Sequence, residues 1–177
     1  MTAPELKTFH LGIVVRDLEE TVSQYSAMFD IERWHRTNWR FNGALLAYGM
    51  GPGISIELFE ITAPGDSHIH QYWDQHGEGV HHVGIWAEDM ASAVRKATDA
   101  GAELVSMSAD ADGNATAQLI PSSAVTEDQL AHLGLVSFVN PRGGVMFEYV
   151  GRAGEEFMRD WFKENYAHVV MGSPWSA

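Results

Sequence analysis

Two histidines and two glutamates stand at repeated positions in this sequence. His10 opens the segment His10-Leu11-Gly12-Ile13-Val14-Val15-Arg16-Asp17, and His82 opens His82-Val83-Gly84-Ile85-Trp86-Ala87-Glu88-Asp89. Glu57 lies in Ile56-Glu57-Leu58-Phe59, and Glu148 lies in Met146-Phe147-Glu148-Tyr149-Val150. Imidazole and carboxylate together suit a hard or borderline divalent cation. Cysteine is absent, so thiolate sites, disulfides and a Cys nucleophile are excluded.

Strand alternation sorts these residues onto faces. Phe9, Leu11, Ile13 and Val15 are expected to pack on helices, leaving His10, Gly12 and Val14 on the other face. Ile56 and Leu58 face the helices, while Ser55, Glu57 and Phe59 face away; His82, Gly84 and Trp86 repeat the first pattern, and Glu148 shares its face with Met146 and Val150. A lone buried carboxylate is costly unless it is paired or bound to a metal. One His and one Glu per copy therefore predict a four-donor metal site of His10, Glu57, His82 and Glu148. The alternative is that each group is hydrogen-bonded or solvated on an exposed sheet face. His81 is one step out of phase and is expected to point to the opposite face, away from the donors.

The elements that must hold these groups are duplicated too. At an offset of 72, His10/His82, Gly12/Gly84, Ile13/Ile85, Asp17/Asp89 and Val22/Val94 coincide. Each copy reads as an alternating strand, an Asp-containing turn placed to cap a helix, and a helix: roughly 18–28 in the first, roughly 90–100 in the second. Strands are predicted at 34–39 and 44–48 around Asn42-Gly43, at 54–61, and at 103–106, 118–120, 134–139 and 145–150. Gly49–Gly53 reads as a loop, and Pro141-Arg142-Gly143-Gly144 as a turn. The fold class expected is α+β: tandem βαβββ modules making an open, cup-shaped mixed sheet, with an added C-terminal helix. The modules fall at 1–66 and 81–151, joined by a linker at 67–80, with an insertion at about 107–134 and a helix (154–166) and tail in 152–177.

The 177 residues are 45% apolar, enough for a sizeable core. With 11 Lys and Arg against 24 Asp and Glu, the formal net charge is −13. Such a field argues against nucleic acid and anionic membrane surfaces as partners. No apolar run of membrane-spanning length exists, and residues 1–7 lack the pattern of a signal peptide. A cytoplasmic protein is expected.

The two His-x-Gly-Ile segments, each followed by Asp and a helix, together with Ile56-Glu57-Leu58-Phe59 and Gly144-Val145-Met146-Phe147-Glu148-Tyr149-Val150, resemble the vicinal oxygen chelate superfamily. That superfamily includes glyoxalase I, methylmalonyl-CoA epimerase, fosfomycin and bleomycin resistance proteins and extradiol dioxygenases. The resemblance covers about 9–151 and is strongest to the epimerase and glyoxalase I branches. It implies paired βαβββ modules around one divalent ion (Zn, Ni, Co, Mn, Mg or Fe), with His10, Glu57, His82 and Glu148 as ligands. It also implies a small oxygenated substrate, a homodimer, and enolisation chemistry in which Glu57 or Glu148 doubles as the base. An isomerase, an epimerase or a glyoxalase-like lyase would each fit. A ligand-sequestering resistance-type protein and an iron-dependent dioxygenase are the alternatives. The epimerase branch carries a further Glu on the second strand of the first module. The stretch Arg33–Arg40 holds none, and His35 is the candidate replacement.

Arg36, with Arg33 and Arg40 in a basic cluster, is a candidate for binding an anionic substrate group, and Trp86 and Phe59 are candidates for lining the pocket. His68, His70 and His76 fall in the linker, where exposed histidines on a flexible loop are expected rather than a second metal site. His82 to Glu148 spans 66 residues against 47 for His10 to Glu57. The additional 19, mainly within 107–134, are read as a lid, a specificity element or a dimer contact. Gly49–Gly53 lacks the Lys and the helix of a phosphate-cradling loop.

Overall fold

The structure is a computed structural model, and it describes residues 6–38, 43–51, 54–109, 111, 115–131, 133, 136–141 and 145–151. The C-terminal helix and tail expected at 152–177, Trp39, Arg40, Asn42 and the turn at 142–144 lie outside these. The described residues form an α+β fold with the strands in an open mixed sheet. The strands are β1 (Leu6–Val15), β2 (Trp34–Asn38), β3 (Ala44–Gly51), β4 (Ile54–Ile61), β5 (Gly79–Ala87), β6 (Glu103–Ala109), β7 (Ala115–Ile120), β8 (Val136–Asn140) and β9 (Met146–Gly151). The helices are α1 (Leu18–Phe29), α2 (His68–His76), α3 (Met90–Asp99) and α4 (Glu127–Ala131), with a 3-10 turn at Ser122–Ala124. Among the described residues no helix is long and apolar enough to cross a membrane.

The described residues form two compact bodies: those in 10–82 with 106–118, and those in 6–9, 83–105 and 119–151. In the first, β2 pairs antiparallel with β3, β3 antiparallel with β4, and β4 parallel with β1, where Gly12 stands opposite Glu57. A parallel pair needs a crossover, and α1 with the β2–β3 hairpin supplies it. Asp17, in extended conformation, caps α1 by accepting from Glu20 N at 2.8 Å. Asp30 ends the helix in the left-handed region at φ 53. Leu18 and Val22, one turn apart, bury against Ala47, Ile56 and Leu58. Full burial of such side chains stabilises by about 1.5–3 kcal/mol each.

The opposite face of this sheet is covered by α2. Ile69 packs on Val14 and Phe59 there, with Tyr72 and Trp73 alongside. The expectation of a flexible linker with exposed histidines is corrected. Ser67 caps α2, Gly77 stops it, and His68 and His70 are each 3% exposed. Only His76 is exposed. His70 is held between Ser67 Oγ at 2.7 Å and the Ala63 carbonyl at 3.1 Å, over two glycines. A Cβ on Gly43 or Gly65 would come within 2.9 or 2.7 Å of its ring. The expected glycine loop is also shorter, because β3 runs on to Gly51 in register with Ile54.

Part of the insertion belongs to the same body. Ala117 N donates to the Asp66 carbonyl at 2.9 Å, and Gln71 Nε2 donates to the Ala117 carbonyl at 3.0 Å. Within the insertion, the described residues extend β6 and β7 well beyond the short strands expected there.

In the second body β8 pairs antiparallel with β6 and with β9, where Phe138 stands opposite Glu148. Asp89 caps α3 by accepting from Ser92 N at 2.9 Å. Ala93 and Val94 pack with Ala87, Leu104, Val139 and Tyr149. A cavity of about 480 Å³ lies beside the end of α3, walled by Ala97, Ala102, Val139, Phe147 and Tyr149. Burial pushes the Tyr149 phenol above its ordinary value, and nothing else there titrates.

Candidate metal centre

Three of the four expected donors come together in the first body. His10 Nε2 lies 2.9 Å from His82 Nε2, and Glu57 Oε2 lies 3.5 Å from His10 Nε2 and 3.3 Å from His82 Nε2. Both imidazoles are almost fully buried, and the Glu57 side chain keeps 14% exposure. A divalent ion about 2.1 Å from each of three donors at octahedral to tetrahedral angles would hold them roughly 3.0–3.5 Å apart. The trio has that spacing. The 2.9 Å separation is also an ordinary imidazole–imidazole hydrogen bond. What a hydrogen bond alone leaves unbalanced is a carboxylate facing two imidazole nitrogens in a mostly buried place, and a cation would balance it.

Backbone geometry sets this convergence. The parallel register of β1 and β4 puts Glu57 level with Gly12, two residues along from His10 on the same face. Gly12 explains the His-x-Gly signature. A Cβ there would lie 1.9 Å from His82 Cε1 and 2.4 Å from its Nε2, so the His82 ring occupies the space that a side chain would take. Tyr48, opposite Glu57 on β3, is buried and meets the His10 ring edge-on at 6.3 Å.

Glu148 lies on β9 in the second body and is 9% exposed. Phe147 and Tyr149 pack toward α3, so alternation turns Glu148 to the other face. Trp86, 4% exposed, likewise alternates with Ile85 and Ala87, which pack toward α3. Phe59 is fully buried under α2, its ring 6.0 Å from that of His82. Arg36 is at the surface in a two-pronged pair with Glu19 of α1, at 2.6 and 2.8 Å, and this holds the Glu19 carboxyl below its ordinary range.

Two groups near the donors went unread in the sequence. Alternation puts His81 on the face away from the donors, yet its ring packs against α2, which covers the face of Val14 and Phe59, and stands edge-on to Tyr72 at 5.2 Å. Its Nδ1 lies 2.7 Å from His82 Nδ1. His68 follows, with Nδ1 3.0 Å from His81 Nε2. A legible signal for α2 existed: Ser67 as cap, Ile69, Tyr72 and Trp73 at helical spacing, and Gly77 as stop.

This chain belongs to the glyoxalase/bleomycin resistance protein/dioxygenase superfamily, whose profile matches residues 9–119. That is the superfamily its motifs resemble. No curated protein matches it in sequence. Solved structures with the same fold include a hypothetical protein from Bacillus halodurans, with TM-score 0.58 and 20% identity, covering 84% of this chain and 95% of that one. A Streptomyces coelicolor methylmalonyl-CoA epimerase variant in complex with 2-nitronate-propionyl-CoA has TM-score 0.56 and 23% identity, covering 83% and 97%. The methylmalonyl-CoA epimerase of Mycobacterium tuberculosis has TM-score 0.57 and 20% identity, covering 85% and 91%.

Proposed function

We propose that this protein is a metal-dependent enzyme for enolisation-type chemistry, an isomerase, an epimerase or a glyoxalase-like lyase, acting on a small oxygenated metabolite. The carrying observation is the convergence of His10 Nε2, His82 Nε2 and Glu57 Oε2. Glu148 is the fourth ligand in this reading. Its support is its burial, its strand face and its place in the repeated motif. The bound cation supplies Lewis-acid stabilisation of charge developing on a substrate oxygen.

The chain's own residues do the rest. His10 and His82 would hold the ion through Nε2. Glu57, the more exposed of the two carboxylates, accepts the proton from the carbon beside the substrate carbonyl, with Glu148 as the alternative base. Because methylmalonyl-CoA epimerases share this fold, thioesters are among the first substrates to try. The same reading takes a homodimer in the cytosol.

The test is metal analysis of the purified protein, followed by a solvent-deuterium exchange screen over 2-oxo acids, acyl thioesters and hemithioacetals. One divalent ion per chain, and exchange in at least one class, are expected. Glu57→Gln and Glu148→Gln should fold normally and lose metal or exchange. A wild-type protein that takes up no divalent ion sinks the enzyme reading and favours a ligand-sequestering one. Wild-type affinity and turnover in Glu148→Gln remove it from the ligand set.

A further inference from the structure

We propose that His81 is a positioning residue for His82, with His68 as the next ring in line; this rests on the metal reading above. Both ring nitrogens of His82 are committed. Nε2 faces His10 and Glu57, and Nδ1 lies 2.7 Å from His81 Nδ1. His81 Nε2 in turn lies 3.0 Å from His68 Nδ1. His82 and His81 are 1% exposed and His68 3%, so water does not compete for these bonds.

A neutral imidazole carries one N–H and one lone pair. In a line of linked rings the proton direction is therefore chosen once for all of them. A lone pair on His82 Nε2 aimed at a cation requires the proton on Nδ1. That N–H donates to His81 Nδ1, which must then carry its own proton on Nε2 and donate it to His68 Nδ1. The opposite direction puts a proton on His82 Nε2, where it donates to His10 and shuts out a cation. Ligating histidines commonly donate their second N–H to a carboxylate or a carbonyl, which have only an acceptor role. Here the acceptor is itself a ring with two tautomers, and its choice decides whether His82 can ligate. Packing keeps the acceptor in place, since the His81 ring stands edge-on to both His82 and Tyr72.

The experiment compares wild type, His81→Phe and His81→Asn. Phenylalanine keeps the ring packing and has no acceptor; the Asn side-chain oxygen can take the place of Nδ1. His81→Phe should weaken divalent-ion binding by about 10- to 100-fold. His81→Asn should recover it to within about threefold, since the acceptor is restored. Imidazole ¹⁵N spectra of the metal-free proteins give a readout that needs no ion. His82 should carry more of the Nδ1–H tautomer in wild type and His81→Asn than in His81→Phe. Identical His82 spectra in all three proteins, or a His81→Asn as impaired as His81→Phe, overturns the proposal. A wild type that binds no ion defeats the functional reading instead, and the spectra still decide the role of His81.

Discussion

The His10 copy and the His82 copy of the strand–turn–helix motif begin alike and part at the imidazole. Asp17 and Asp89 cap their helices by the same bond, to Glu20 N and Ser92 N, at 2.8 and 2.9 Å. Behind the histidines the surroundings differ. The His10 ring meets the edge of Tyr48, whereas the His82 ring lies across Gly12 and meets His81 through Nδ1. Caps and alternation are local rules, so duplication preserves them. What stands behind each ring lies outside the repeated motif: Tyr48 is on β3, and His81 precedes His82 where Phe9 precedes His10. The two imidazoles share one contact through Nε2; beyond it the His10 ring is met by Tyr48, while the His82 ring is bonded to His81 and fits the place of the side chain that is absent at Gly12.

The largest effect should come from removing that absence. Gly12→Ala puts a methyl group 1.9 Å from His82 Cε1. The ring must leave its place. Overpacking of this kind costs about 1–3 kcal/mol, and the loss of one ligand should weaken metal binding by more than about 100-fold. Gly77→Ala is the control. Its Cβ meets nothing within 4 Å, but φ 71 with ψ −137 is a conformation that suits glycine, so strain of about 1–3 kcal/mol and unchanged metal affinity are expected. Thermal melts and a metal titration on the two variants separate strain from displacement. Equal affinities would mean that Gly12 serves only the backbone.

A smaller effect tests whether the caps are as equivalent as they look. Replacing an Asp cap by Ala costs about 1 kcal/mol. The first turn of α1 has other support: Glu19 and Glu20 beside the helix start, and Glu60 accepting from Leu18 N at 2.8 Å. The first turn of α3 holds no acidic residue. Asp89→Ala should therefore lower the melting temperature more than Asp17→Ala. The reverse order would show that the flanking carboxylates contribute little.

The same distinction between local and distant causes explains what the sequence revealed. The strands carrying His10, Glu57 and His82, both capped helices and the face of each donor follow from period-two and period-3.6 patterns and from Asp at the turns. The sequence suggests a linker where α2 forms, because three histidines in a polar stretch suggest solvent. Burying His68 and His70 requires partners, and those are a serine, a carbonyl and His81, two of them far along the chain or on the main chain. No spacing rule announces such partners. His81 differs: alternation sets its ring opposite to that of His82, yet the ring packs on α2 and its Nδ1 lies 2.7 Å from His82 Nδ1, a contact between neighbouring side chains that a period of two does not describe.

The smallest effect concerns the surface pair of each copy. Arg36 grips Glu19 with two hydrogen bonds, and Arg95 grips Glu127 in the same way. Each arginine lowers its partner's carboxyl, first through the hydrogen bond and then through charge. Geometry this good would be valuable in a buried site. Here both partners are well exposed, and screening leaves about 0.5 kcal/mol or less for the Arg36–Glu19 pair. The pH dependence has a definite sign. The folded Glu19 value lies below its ordinary 4.5, so the contribution is complete above that value and is lost as pH falls through the lowered one. Arg36→Ala should melt slightly below wild type at neutral pH, and the gap should close in acid. Added salt should narrow it at neutral pH as well, because exposed charges are screened. A gap that persists in acid would show that Arg36 stabilises by packing its stem. A large neutral gap that is insensitive to salt would mean that this pair is shielded in a way its counterpart on α3 is not.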